Sequence, residues 1–259
     1  MRFVAVLFLA VPVFVYAQAG RGGRGGPAPT PRAMAPIDLT GYWVSLVTED
    51  WRFRMVTPPK GDYSSLPLNA AGQKLADAWD PARDERDGAQ CKSYGAPAIM
   101  RVPGRLHITW ADDHTLKIET DAGEQTRLLH FGNWKGSGEA TWQGESIASW
   151  DGLAQPGRGG EIPGPVGGQL RGSLKVVTTN IKPGYLRKNG VPYSANTVLT
   201  EYYDTFPESN GPESKGDVWL IVKTIVDDPT YLNQPFITST HFKKIAGASG
   251  WNPTPCTSR

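Results

Sequence analysis

The stretch Ile37-Asp-Leu-Thr-Gly-Tyr-Trp-Val-Ser-Leu-Val-Thr-Glu-Asp-Trp-Arg-Phe-Arg-Met-Val-Thr-Pro-Pro59 decides the fold of this chain. It follows a segment rich in Gly, Arg and Pro, so the folded part begins here. Its apolar and polar residues alternate, as they do in half-buried strands. We predict an opening strand over 40–47 and a second strand, or a bent continuation, over 50–56.

The same period-two alternation recurs along the rest of the chain and indicates eight or nine strands. Only residues 69–81 have helical spacing, with Asn69 as N-cap and Pro81 as the stop. A Gly- and Pro-rich insertion at 154–172 is predicted as a long rim loop. Strands in this number either close on themselves, which removes exposed edges, or form an open sandwich. We predict an all-β fold with a single antiparallel β-barrel and one short helix; the sandwich is the alternative.

The N-terminal segment has the pattern of a secretory signal. One Arg precedes an apolar run from Phe3 to Tyr16, and small residues offer cleavage sites after Ala17 or Ala19. The run is shorter than the roughly 20 residues that a spanning helix requires. We predict a signal peptide over 1–17, a disordered tether over 18–36 and a barrel domain over 37–259, with no transmembrane segment in the mature chain.

The charges argue against a nucleic-acid partner. The chain has 27 basic and 25 acidic residues, but four arginines and no acid precede Pro36. The part of the chain from Pro36 onward contains 23 basic and 25 acidic residues, so its net charge is −2. A basic patch for nucleic acid is therefore not expected.

The two cysteines, Cys91 and Cys256, are expected to form a disulfide. Disulfides persist in oxidising compartments, so this pair agrees with a periplasmic or secreted location. It would also attach the C-terminal tail to the body of the domain.

Two resemblances support a barrel. Residues Gly41-Tyr42-Trp43 resemble the Gly-x-Trp motif of lipocalins, which implies a lipocalin-like barrel whose Trp packs across one end. The body of the chain resembles a family of exported, uncharacterised bacterial β proteins. It departs from that pattern at Glu145, where the family has His, and at Tyr202, where it has Arg. The matching segments are Cys91, Gly95-Ala96-Pro97, Met100, Trp142 to Ala148, Trp150-Asp151-Gly152, Leu174 to Thr179, and the stretches that begin at Asn189 and Val226.

Titratable residues on the strands are candidates for acid–base chemistry in a barrel lumen. A buried carboxylate beside an imidazole would serve because burial raises the pKa of a carboxyl toward working pH. The candidate catalytic residues are His107, His130, Arg127, Glu119 and Glu201.

Three histidines on separate strands, His107, His130 and His241, would suit Zn or Cu if all of them faced the lumen. No tight ligand spacing supports such a site. The sequence therefore predicts no metal and no other cofactor.

Aromatic and basic residues are the candidates for ligand binding. Trp110 and Trp142 would form an aromatic wall. The segment 183–194 surrounds an Asn-Gly turn with Tyr185, Arg187 and Tyr193, a composition that suits an anionic or hydroxylated ligand. A tight hairpin with exposed charges is the equal alternative.

We favour an exported, monomeric protein that binds a small apolar or aromatic molecule. The alternatives are a barrel-lumen isomerase, lyase or hydrolase, and a structural subunit with a partner in an envelope complex. Signatures of α/β-hydrolases, zinc proteases, phosphate-binding loops and dinucleotide-binding folds do not occur in the sequence.

Overall fold

The computed structural model describes residues 28–152, 172–207 and 216–258. Its strands are β1 (Gly41–Leu46), β2 (Arg105–Asp112), β3 (Thr115–Thr120), β4 (Thr126–Phe131), β5 (Glu145–Asp151), β6 (Ser173–Thr179), β7 (Gly184–Arg187), β8 (Val191–Tyr193), β9 (Val198–Pro207), β10 (Val218–Asp227) and β11 (Phe236–Ile245). Its helices are α1 (Trp51–Met55), α2 (Ala70–Asp77), α3 (Pro81–Arg86) and α4 (Ala96–Ile99), with a 3-10 helix at Gln90–Tyr94.

Nine of these strands form a closed barrel in the order β1-β11-β10-β9-β6-β5-β4-β3-β2, and β7 pairs with β8 in a separate hairpin. The predicted all-β fold with a single barrel is therefore confirmed. Neighbouring strands are antiparallel except β4 and β5, which are parallel. Between two parallel strands the chain has to return to the end of the barrel at which the first strand began. Residues 132–144 make this connection between β4 and β5.

Side chains fill the lumen of the barrel. Successive residues of a strand point to opposite faces, so Leu106 and Ile108 are buried inside while His107 between them is on the outer face. Trp43 belongs to the same core and is completely buried, and its indole N–H donates to the carbonyl oxygen of Leu39 at 2.9 Å. The Trp of the opening strand thus packs inside the barrel.

A second apolar cluster lies at the end of the barrel where β1 ends and β2 begins. The β7–β8 hairpin contributes to it, together with the ends of barrel strands and the segments around α2 and α4. Its buried members are Ala96, Ile181, Leu186, Val191, Tyr193, Leu199, Val226, Leu232 and Phe236. We call this end the capped end.

The helices differ in part from the prediction. The segment 69–81 contains α2, and the Asn69 side chain accepts from the Gly72 amide at 2.9 Å, as an N-cap does. The strand predicted over 50–56 is wrong, because these residues form α1. Asp50 has a left-handed backbone (φ 51°), which ends the extended run. The chain then turns into a helix whose Arg54 is buried against the barrel end.

The predicted disulfide between Cys91 and Cys256 is confirmed, with an S–S distance of 2.06 Å. Residues 28–36, the last part of the predicted tether, lie against the other end of the barrel: the Trp150 indole donates to the Pro31 carbonyl at 2.8 Å. The predicted signal peptide and nearly all of the insertion at 154–172 lie outside the described residues. No helix within the described ranges is long and apolar enough to cross a membrane.

Candidate functional site

The lumen contains a bidentate ion pair. The Arg127 guanidinium donates to the two carboxylate oxygens of Glu201 at 3.0 and 2.6 Å, and neither side chain has exposed surface. Tyr203 donates to Glu201 at 3.2 Å, and Thr178 accepts from Arg127 at 3.4 Å. These contacts match each charge with an opposite one inside the lumen, and only the Nε atom of Arg127 is left without a hydrogen-bond partner among the described residues.

The surroundings of this pair stabilise the protonated form of Arg127. Burial alone would lower the pKa of Arg127, but the Glu201 carboxylate outweighs burial and raises it. Burial and the same carboxylate raise the pKa of Tyr203. Two of the catalytic candidates thus meet as a buried, bidentate ion pair, which is suited to holding strands β4 and β9 together.

The remaining catalytic candidates lie outside the lumen. His107 and Glu119 face each other across β2 and β3, with Nδ1 and Oε2 3.2 Å apart, and both are half-buried on the outer surface. His130 stacks on Trp134, with ring centroids 4.0 Å apart, and burial lowers its pKa. The five candidates therefore form three separate groups, and of these only Arg127 and Glu201 lie in the lumen.

The three histidines considered as metal ligands do not meet. His107, His130 and His241 alternate with lumen-facing residues on their strands, so each lies on the outer face. His241 contacts Thr48 at 3.2 Å and lies 3.6 Å from Glu49. Within the described ranges no group of three or more His, Cys, Asp or Glu side chains is arranged for a metal ion.

A cavity of about 470 Å³ opens at the capped end of the barrel. Five segments line it: α1 and the residues after it, the stretch from the 3-10 helix to β2, the turn between β3 and β4, strand β7 with its turn, and the tail at 254–257. The volume is in the range of sites for small molecules, about 300–1,000 Å³. We call this cavity the cationic cleft, because Arg54, Arg101, Arg187 and Lys188 all line it.

Two arginines of the cleft are almost completely buried and incompletely paired. Arg101 and Arg187 are 8 and 7 % exposed. Arg101 donates to Asp50 at 2.9 Å, whereas Arg187 donates to the carbonyl oxygen of Ser64 at 3.1 Å. Among the described residues, no hydrogen-bond partner is present for the Nη1 atom of either arginine, and no carboxylate lies within 4 Å of Arg187. Buried donors of this kind are normally satisfied, and both of these side chains line the cleft.

The nearby Arg101 destabilises the charged form of Arg187. Burial, and then the positive charge of Arg101, lower the pKa of Arg187 to about 10. The flat guanidinium also lies over the Phe53 ring, 4.3 Å from its centroid. A bound anion would relieve the repulsion between the two arginines.

Lys188 adds a further positive charge beside a phenol. Its ammonium group donates to the Tyr94 hydroxyl oxygen at 2.6 Å and to Thr257 Oγ1 at 3.2 Å. Burial would raise the pKa of Tyr94, but the hydrogen bonds from Lys188 and Thr257 outweigh it and lower the pKa. With Arg54 paired to Glu49 and Arg101 to Asp50, two cations of the cleft, Arg187 and Lys188, remain without a carboxylate among the described residues.

The rest of the cleft wall is largely apolar. Phe53, Met55, Ala98, Val102, Pro103, Leu186 and Pro255 contribute to it. The tail that carries Pro255 is held in place by the disulfide at Cys256 and by the backbone hydrogen bond from Thr254 to Asp121 at 2.9 Å. Gly123, with φ 81°, permits this approach, because a Cβ there would lie 2.3 Å from the Tyr94 ring. The cleft therefore combines buried positive charge with an apolar wall on a braced frame.

Of the five ligand-binding candidates, only Arg187 lines the cleft. Trp110 packs in the barrel beside Phe131, with ring centroids 5.6 Å apart. Tyr193 is completely buried in the apolar cluster at the capped end. The other two make polar contacts elsewhere: Tyr185 donates to Asp84 at 2.8 Å and Trp142 to the carbonyl oxygen of Pro183 at 3.3 Å.

The sequence analysis did not identify Phe53, Arg54, Tyr94 or Arg101 as site residues. One signal was present, the basic and aromatic composition of 183–194 around an Asn-Gly turn. That segment is indeed a hairpin, with Gly190 at φ 83°, but Arg187 is buried and does not form an exposed charge. Nothing in the sequence associates this segment with Arg101, which lies 86 positions earlier.

A comparison of the chain with protein-family models, curated proteins and solved structures finds no match. The resemblance to exported β proteins and lipocalins thus stays a prediction.

Proposed function

We propose that the protein is an exported binding protein for a small organic anion with an apolar body, and that the cationic cleft holds this ligand. The observation that carries the proposal is the buried pair Arg101 and Arg187, which share one cavity and each have an Nη1 donor without a partner among the described residues. An anion placed between them would accept charge-assisted hydrogen bonds, which are about twice as strong as neutral ones.

The apolar wall and the disulfide support the same proposal. Phe53, Leu186 and Pro255 provide contact area for the body of the ligand. The Cys91–Cys256 disulfide braces one wall and agrees with export. A ligand in the lumen is less favoured, because core residues such as Trp43 and Tyr203 fill it and have no exposed surface.

Anilinonaphthalene sulfonate, an aromatic anion whose fluorescence rises in apolar surroundings, tests the proposal with the full mature chain. We expect saturable binding to the wild-type protein. We also expect about tenfold weaker binding to Arg187→Met, because a hydrogen bond to a charged group contributes about 1.5–3 kcal/mol. Arg187→Lys, which keeps the charge, should bind with intermediate affinity.

Arg83→Met is the matched control, since its side chain is 74 % exposed on α3 and does not line the cleft. Its affinity should equal that of the wild type. Equal affinities for wild type and Arg187→Met, with both proteins folded by circular dichroism, would reject the cleft as the site.

A further inference from the structure

Three large apolar side chains are exposed together where the chain passes the cleft. Trp51, Met55 and Val56 are 64, 59 and 66 % exposed. Trp51 and Met55 are four positions apart on α1 and so lie on one face of the helix. Single exposed apolar residues are common, but a contiguous group on one short segment marks a contact surface. We call these three residues the apolar lip.

The apolar lip continues the wall of the cationic cleft. Met55 belongs to both, because it lines the cavity and is also exposed to solvent. Phe53, on the same helix, lies inside the cavity beneath Arg187. An apolar path therefore runs from the buried arginine to the surface of the protein.

Arg54 holds this surface in place. Its guanidinium pairs with Glu49 and donates to Ser45 Oγ at 3.1 Å and to the carbonyl oxygen of Arg101 at 2.9 Å. The buried side chain of one helical residue thus fixes α1 to the barrel, while Trp51 and Met55 on the same helix are exposed to solvent. The apolar lip is consequently a built surface of the cleft mouth.

We propose that the ligand of the cationic cleft is an amphiphilic anion, an alkyl chain with a terminal carboxylate or phosphate. Its head group lies between Arg101 and Arg187, and its chain leaves the cavity past Met55 and covers Trp51 and Val56. This inference rests on the proposed function. The charges at the mouth favour a free amphiphile over an anionic membrane. The exposed cation of α1, Arg52, lies 3.3 Å from Asp62, whereas membrane binding uses clusters of unpaired basic residues.

The test is isothermal titration calorimetry of the full mature chain with butyrate, hexanoate, octanoate and decanoate, each below its micelle concentration. Decyl phosphate and decanol are included to test the head group. We expect affinity to increase about two- to fourfold for each added methylene, as burial of the chain predicts. Decyl phosphate should bind and decanol should not.

The variant Trp51→Ser/Val56→Ser, which changes two residues of the apolar lip that do not line the cleft, separates the chain from the head group. We expect it to lose most of the dependence on chain length while its affinity for butyrate stays within twofold of the wild type. Ile237→Ser is the control, because Ile237 is 61 % exposed on β11 and does not line the cleft. It should keep the full dependence on chain length.

Two outcomes would overturn this inference and leave the proposed function standing: chain length has no effect on the wild type, or the double variant keeps the full effect. Dimerisation in sedimentation velocity that the double variant abolishes would assign the apolar lip to a second copy of the chain instead. If Arg187→Met binds every carboxylate as tightly as the wild type, the proposed function itself fails.

Discussion

Both the lumen and the cationic cleft bury arginine side chains, but Arg127 in the lumen is paired with a carboxylate, whereas Arg187 in the cleft has none within 4 Å among the described residues. Arg127 is held by Glu201 through two hydrogen bonds inside the barrel. Arg187 has a carbonyl oxygen and an aromatic ring as neighbours, and a second arginine beside it. The difference shows that a buried arginine is not in itself a sign of function. Where the protein supplies the counter-charge, the arginine belongs to the structure; where it does not, an external anion can supply it.

The largest expected effect concerns the paired arginine. Glu201→Leu leaves Arg127 charged and uncompensated in the lumen, and we expect the free energy of unfolding to fall by about 3–5 kcal/mol. Urea denaturation followed by far-UV circular dichroism measures this loss. The double variant Arg127→Met/Glu201→Leu should recover much of it, because it removes both charges. A double variant no more stable than the single one would show that packing, and not the unpaired charge, causes the loss.

The unpaired arginine should behave in a different way. Arg187→Met removes the hydrogen bond to Ser64 and the contact with Phe53, but it also removes a buried cation that repels Arg101. These effects oppose each other, so we expect the free energy of unfolding to change by about 1 kcal/mol or less. Arg127→Met, measured in the same urea titration, should cost about 3–5 kcal/mol. Equal losses in the two variants would remove the distinction between the two regions.

The last expected effect is the dependence of anion binding on pH. Arg187 has a pKa of about 10, and its protonated form attracts an anion, so affinity is lost as the pH rises through that value. Tyr94, whose pKa is lowered, gains a negative charge in the same direction. We expect affinity for anilinonaphthalene sulfonate to fall about tenfold between about pH 8 and pH 11. Fluorescence titration at several pH values measures this.

Tyr94→Phe separates the two titrations. It keeps the ring in place and removes the phenol, so the decrease in affinity should begin at a higher pH than in the wild type. An affinity that does not change with pH in either protein would show that Arg187 stays charged up to pH 11 and that Tyr94 does not contribute a charge beside the ligand.

The barrel was predictable because its signal is local. Alternation of apolar and polar residues at Leu106, His107 and Ile108 indicates both a strand and the face that is buried. The same pattern was misleading at 50–56, where a five-residue stretch with alternating aromatic and basic residues is compatible with a strand or a helix. A left-handed Asp50 and the anchoring of Arg54 decided in favour of the helix.

The cationic cleft was not predictable in the same way, because its residues are brought together by closure of the barrel. Arg54 follows β1, Arg101 precedes β2, and Arg187 lies in a hairpin between β6 and β9. In the sequence each resembles an ordinary surface arginine. Their burial, and the absence of a carboxylate beside Arg187 among the described residues, depend on contacts between distant segments.

The sequence by itself determined the all-β architecture, the number of barrel strands to within one, and the disulfide, because each follows from periodicity or from composition. Only the tertiary structure decided which charges are paired. Arg127 and Glu201 are 74 positions apart, and closure of the barrel brings them together. Arg101 and Arg187 are 86 positions apart, and folding at the capped end brings them into one cavity. The energy of a buried charge depends on distances of a few ångströms to its partner, and those distances are a property of the folded chain.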